Sequence, residues 1–213
     1  MKTLYHYIHC PFCVRVRMAL GLLQIPYISK VVPYNDEQTP IALTGKKMLP
    51  IMTLDDGKVM NESLDIIRNL DTGSKINFSL YLSASEEIET LLSKLGSDVH
   101  SLCMPYWVWT PEFDENSRKY FQDKKEVKRG PFKNLIKNKD EYLSSLNKNL
   151  LQLESELSKF YRSEELTVAD IMIASHLWGM YIFPEFQFSE KIHHYLQRVK
   201  EECSFDYHED YWK

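Results

Sequence analysis

Cys10-Pro11-Phe12-Cys13 places two thiols one helical turn apart, and the residues around them indicate what those thiols can do. Leu4 to Ile8 alternates as a strand does and runs into Pro11, which suits the first position of a helix because the N–H it lacks would be unpaired there anyway. Cys10 is therefore expected at a helix cap, facing unpaired backbone N–H groups and the positive end of the helix dipole, both of which favour an anion. A free thiol titrates near ~8.5, and such settings bring it to about 3.5 to 7.5. Cys10 should thus be substantially ionised at cytosolic pH, with Cys13, further into the helix, protonated and partly shielded. Arg15 and Arg17 add positive potential. Attack by Cys10 on a disulfide gives a mixed disulfide that Cys13 is placed to resolve, which is how a disulfide oxidoreductase divides the work. Two other readings stay open. The pair could be half of a zinc site, but Cys103 and Cys203 stand alone and His9 is expected on the opposite face of the strand end. It could also be inert and buried, although a strand-to-helix turn is a poor place to bury thiols without a function.

Two further features could bind what Cys10 attacks. Pro50 opens a strand, and a cis Leu49-Pro50 peptide would leave the Leu49 carbonyl and N–H free for an extended ligand that adds like a strand. An ordinary edge proline is the competing explanation. Glu62-Ser63 enters a helix, so Ser63 offers a hydroxyl and helix-start N–H groups to a carboxylate while Glu62 can meet an ammonium. Alone it is a plain N-cap, and it becomes a peptide-terminus site only if the fold brings it near Cys10. Thr167-Val168-Ala169-Asp170 has capping-box spacing with a structural role. Tyr106-Trp107-Val108-Trp109 reads as helix packing, and His193-His194 lacks the spacing to share a metal on one helix face. Tyr120 to Glu126 reads as an amphipathic helix with solvated charges.

The elements that must hold these residues follow from periodicity. Val14, Val16, Met18, Ala19 and Leu22 have helical spacing, with Gly21 weakening the end, and a strand from about Tyr27 to Val32 follows. This is a β-α-β opening with a right-handed crossover. A polar loop from Pro33 to Thr39, a short helix near Pro40 to Leu43 and a strand from Leu49 to Leu54 come next. Asp55 to Lys58 is a hairpin turn signal with an antiparallel return at Val59-Met60, and Leu64, Ile66, Ile67 and Leu70 form a helix. The order βαβαββα, with paired cysteines at the first helix, is the thioredoxin-like plan. Periodicity fades from about Asp71 to Ala84, and beyond it Glu86–Val99, Arg118–Lys128, Leu143–Phe160, Val168–Tyr181 and Lys191–Glu202 all read as helix. The expected organisation is an α/β N-terminal domain over residues 1–72, a linker over residues 73–84 and an all-α domain over residues 85–213.

Composition excludes several classes. In 213 residues, 44% are hydrophobic and 26% charged, far from the disordered corner. A formal net charge of -4 gives no field that would draw nucleic acid or anionic lipid. No run approaches the ~18 apolar residues of a spanning helix, so no membrane role is expected. Four cysteines are too few for a stapled secreted scaffold, and Met1 to Cys10 has no signal-like apolar stretch, so a cytoplasmic protein is expected.

Taken together, Cys10-Pro11-Phe12-Cys13, Leu49-Pro50 and Glu62-Ser63 resemble the glutaredoxins, while the helical second half with Thr167 to Asp170 resembles that of glutathione S-transferases. The combination is similar to the larger bacterial glutaredoxins built on the transferase fold. Thr44 to Ile51 and Arg118 to Glu126 are also family-like, so the resemblance covers nearly the whole chain. It implies a glutathione S-transferase-like architecture and a glutathione-dependent dithiol oxidoreductase, with Cys10 as nucleophile and Cys13 as resolving thiol. Leu49, beside a cis Pro50, would be the backbone partner of glutathione's cysteinyl unit, and Glu62 with Ser63 the clasp for its γ-glutamyl end. Glutathione would be co-substrate with no tightly bound cofactor or metal. Glutathionylated or disulfide-bonded proteins would be the partners, and the protein a monomer. Phe12 replaces the usual Tyr, Leu49 the usual Val, and Asn61 stands where Pro can occur. A cysteine-type glutathione transferase or dehydroascorbate reductase is the alternative on the same fold.

Overall fold

The computed structural model describes residues 1–206. Its first half runs β1 (Thr3–His6), α1 (Pro11–Leu22), β2 (Ile28–Val31), α2 (Gln38–Thr44), β3 (Ile51–Thr53), β4 (Val59–Met60) and α3 (Ser63–Leu70), the order expected from the sequence. The four strands form one sheet in the order β2-β1-β3-β4. β1 and β2 pair in parallel, Thr3 opposite Ile28, while β1 pairs antiparallel with β3, Tyr5 opposite Ile51, and β3 with β4 through the Asp55 to Lys58 turn. Strand β2 is shorter than expected and each of its four residues is exposed, which is how a sheet-edge strand with no outer neighbour lies.

The second half is helical: α4 (Ser79–Ser83), α5 (Ser85–Trp107), α6 (Glu115–Arg129), α7 (Phe132–Lys137), α8 (Lys139–Ser155), α9 (Val168–Leu177), a 3-10 turn (Trp178–Ile182) and α10 (Glu190–Glu202). Helix α4 lies within the stretch read as a linker, and α8 ends at Ser155 rather than Phe160. Past Ser155 the chain folds back on itself, with Leu157 bridged to Tyr161 and Phe160 to Ser163. Among the described residues no helix is long and apolar enough to cross a membrane.

The Thr167 capping box is present, and its acid does more than cap. Asp170 is buried and accepts from the Thr167 N–H at 2.8 Å, the Tyr161 N–H at 2.7 Å and the Tyr195 hydroxyl at 3.0 Å, tying α9 to α10 and to the preceding loop. Helix α9 is buried nearly all round because α1 packs on one side and α5 on another. One continuous apolar cluster therefore runs from Leu4 and Val16 in the first half through Val99 and Ile171 in the second. Gly21 has a part in this joint. A Cβ there would stand 1.9 Å from the Cys203 carbonyl oxygen, so the residue read as a weak helix end is the gap that admits the end of α10.

Candidate active site

Cys10 caps α1 with extended backbone, φ -73° and ψ 119°, and Pro11 is the first helical residue. The Cys10 carbonyl accepts from the amides of Cys13 and Val14, each at 2.9 Å. The first turn carries no acidic side chain to compete for those amides. The Cys10 thiol is brought down to about 7, first by the neighbouring Cys13 thiol and then by the amides of Cys13 and Phe12 and by the Arg15 guanidinium, which together outweigh burial. Cys13 goes the other way. It has no exposed surface, packs with Val32, Leu49 and Ile51, and receives the Tyr7 N–H at 3.4 Å, so burial holds its thiol well above the usual range. One thiol is thus prepared as the anion and its neighbour as the proton holder.

Cys10 lines a cavity of about 290 Å³ between the two halves of the chain. Tyr7, His9, Phe12, Tyr34, Lys47, Met48 and Leu49 form its wall from the first half, and His100, Met104, Trp107, Phe121 and Lys125 form the wall from α5 and α6. A larger depression, about 610 Å³ beside the start of α5, has neither cysteine nor histidine in its lining. The walls are joined by rings: Tyr34 stacks on Tyr7 at 3.9 Å and on Phe113 at 4.8 Å, and Phe121 meets Tyr34 edge-on. Trp107 belongs to this site rather than only to helix packing, and it fits because Gly179 has no Cβ, which would stand 2.7 Å from its ring.

His9 is not turned away, as the sequence reading expected. It is buried in the seam with its ring on Trp107 at 4.9 Å, its Nε2 3.2 Å from the Thr110 hydroxyl and 3.7 Å from the Glu112 carboxyl. Burial lowers the His9 imidazole well below its ordinary value and pushes the Glu112 carboxyl up to about 8, so at neutral pH both are uncharged. Among the described residues no cluster of three or more His, Cys, Asp or Glu could hold a metal.

The other residues singled out from sequence are placed unevenly. The Leu49-Pro50 peptide is cis, Leu49 lines the cavity, and its amide and carbonyl have no backbone partner among the described residues. Glu62 is the exposed residue before α3 and Ser63 its buried first residue, and neither lines the cavity. Missed by sequence reasoning were Tyr7, Tyr34, Lys47, Trp107 and Lys125. Lys125 had a signal: it follows Phe121 by four residues and so shares that residue's inward face, contrary to the reading of α6 as a helix of solvated charges.

The sequence model described as "Glutaredoxin 2, C terminal domain" matches residues 87–209, and that described as "Glutathione S-transferase, N-terminal domain" matches residues 9–72. Glutaredoxin 2 of Escherichia coli strain K12 is 35% identical over 162 residues, 73% of this chain and 74% of that protein. The crystal structure of glutaredoxin 2 from Salmonella typhimurium in complex with glutathione superposes with a TM-score of 0.84 at 28% identity, covering 99% of this chain and 98% of that one. A glutathione transferase from Phanerochaete chrysosporium, at 14% identity, shares the fold with a TM-score of 0.81 over 96% of this chain and 98% of its own. The chain belongs to the glutaredoxin 2 family, in which an α/β half is joined to a helical half on the glutathione S-transferase plan.

Proposed function

We propose that the protein is a glutathione-dependent dithiol oxidoreductase in which Cys10 is the nucleophile and Cys13 the resolving thiol. The observation that carries this is the asymmetry of the pair: Cys10 lines an open cavity with its thiolate favoured, while Cys13 is fully buried with its proton held. The Cys10 thiolate attacks a protein-glutathione mixed disulfide and releases the protein thiol, and free glutathione then clears the Cys10-glutathione disulfide. With a protein disulfide, Cys13 closes on Cys10 instead.

Glutathione is bound in the salmonella relative, which supports it as the co-substrate here. Its cysteinyl unit would lie along Leu49 beside cis Pro50, whose free amide and carbonyl suit a strand-like ligand. Glu62 and Ser63 would receive its γ-glutamyl end from beyond the cavity, at the start of α3. Residues 1–72 would form the thiol-bearing unit and residues 85–213 the helical one. All four cysteines are free, as the cytosol, a reducing compartment, would keep them.

With glutathione, glutathione reductase and NADPH, the purified chain should reduce a small glutathione mixed disulfide. Cys10→Ser should abolish this and Cys13→Ser should keep the one-thiol route. Full activity in Cys10→Ser would sink the assignment, and greater turnover on dehydroascorbate or an electrophile than on the mixed disulfide would favour the transferase-type rival.

A further inference from the structure

Lys125 shares the cavity with Cys10 although it comes from the other half of the chain. It is half-buried, with its ammonium 5.3 Å over the ring of Phe121. Nearby lysines have carboxylates to answer their charge: Lys119 pairs with Asp123 at 2.8 Å and Lys47 with Glu37 at 3.3 Å. Among the described residues Lys125 has no such partner. Burial lowers its pKa, and the charge that most opposes this is the Cys10 thiolate. The cation therefore borders the same cavity as the atom whose charge the exchange reaction moves.

Resting on the thiol-exchange reading above, we propose that Lys125 is a catalytic residue that stabilises negative charge as it passes from Cys10 to the departing thiol. In the first step Cys10 gives an electron pair to the glutathionyl sulfur. The old S–S bond breaks, its electron pair leaves with the partner sulfur, and the charge moves by two sulfur-sulfur bonds, about 4 Å. The released thiolate later takes a proton from water, and no external oxidant or reductant enters. On the α5–α6 side the cavity is bordered by Met104, Trp107, Phe121 and Lys125, and between aromatic walls a cation acts more strongly than in water. When glutathione attacks the Cys10-glutathione disulfide, Cys10 is itself the departing thiolate and meets the same ammonium.

The test is a series of glutathione mixed disulfides with uncharged leaving-group portions, running from an aliphatic hydroxyethyl thiol to an acidic aromatic thiol. It is read as kcat/KM for the native chain, Lys125→Met, Lys125→Gln and Lys125→Arg, each checked for folding by circular dichroism. Neutralising Lys125 should cost at least about tenfold with the aliphatic leaving group and under about threefold with the acidic one, and Lys125→Arg should restore the native dependence. An equal loss across the series overturns the proposal. If the Cys10 thiolate midpoint rises with that loss, Lys125 serves only the attacking thiolate; if instead KM for glutathione rises, it serves only binding. A native chain without Cys10-dependent turnover would overturn the oxidoreductase reading and this proposal together, whereas an active one separates the two.

Discussion

At the scale of single residues, the reactivity of Cys10 depends on a proton that belongs to Cys13. The Cys13 thiol is the largest influence lowering Cys10 to about 7, ahead of the backbone amides and Arg15. Cys13→Ala removes that donor and should move the Cys10 midpoint up toward the ordinary thiol range, while Cys13→Ser keeps a hydroxyl donor and should stay near the native value. Thiolate absorbance against pH distinguishes the two, and an unmoved midpoint in Cys13→Ala would show that the amides and Arg15 suffice. The sign for activity follows: the reactive form is deprotonated, so kcat/KM should climb as pH rises through about 7 and then level off, with the climb displaced upward in Cys13→Ala. The placement of the two thiols was legible in the sequence because it is local; strand, proline, helix start and both thiols fall within about ten residues. His9 was misread for the opposite reason. What turns it inward is Trp107 and Thr110, a hundred residues away, and no local pattern carries that contact.

At the scale of elements, amphipathic spacing and turn signals located the strands and long helices of the first half, and each lies within a few residues of its expected place. Short elements were harder to see, since α4 and α7 have five and six residues, too few for one face to repeat. Gly21 shows how a correct local rule can miss a tertiary reason. Glycine does lower helix propensity, and Gly21→Ala in an isolated helix would gain about 1 kcal/mol. Here the added methyl would collide with the Cys203 backbone, which cannot swing aside as a side chain does. The substitution should instead destabilise the protein by about 1 to 3 kcal/mol, the usual range for overpacking. Denaturant unfolding measures this, and a stabilised Gly21→Ala would mean that the end of α10 does not rest on α1. The Cys10 thiol midpoint should hold in this variant, because the contact lies at the far end of α1.

At the scale of the whole molecule, the two halves meet through rings that must stay uncharged. His9 lies on Trp107, His100 meets the same indole edge-on at 5.6 Å, and His176 touches Phe12 beside Cys10. Burial lowers each imidazole: His100 to about 3, His176 to about 4, His9 well below its ordinary value, and His6 under the sheet to about 3. A histidine whose folded pKa is depressed takes up a proton on unfolding, so its contribution is complete above its unfolded value of about 6.5 and is lost as pH falls toward the folded value. Each such group can remove up to about 1.4 kcal/mol per pH unit. Glu112 acts in the opposite sense: with its pKa raised to about 8 it holds a proton that the unfolded chain releases, and stability is lost as pH rises from about 4.3 to 8. Between pH 6.5 and 4.5 the histidines outnumber it. The melting temperature should therefore fall steeply on acidification below pH 6.5 and fall more gently as pH rises above it, and Glu112→Gln should flatten the alkaline arm and steepen the acid one. Calorimetry across pH 4.5 to 8 tests both arms, and an acid-insensitive melting temperature would show that these imidazoles are solvated. Because three of the four lie in the seam that also forms the Cys10 cavity, acid should open the site as it loosens the fold, and turnover at low pH should fall further than loss of the thiolate alone accounts for.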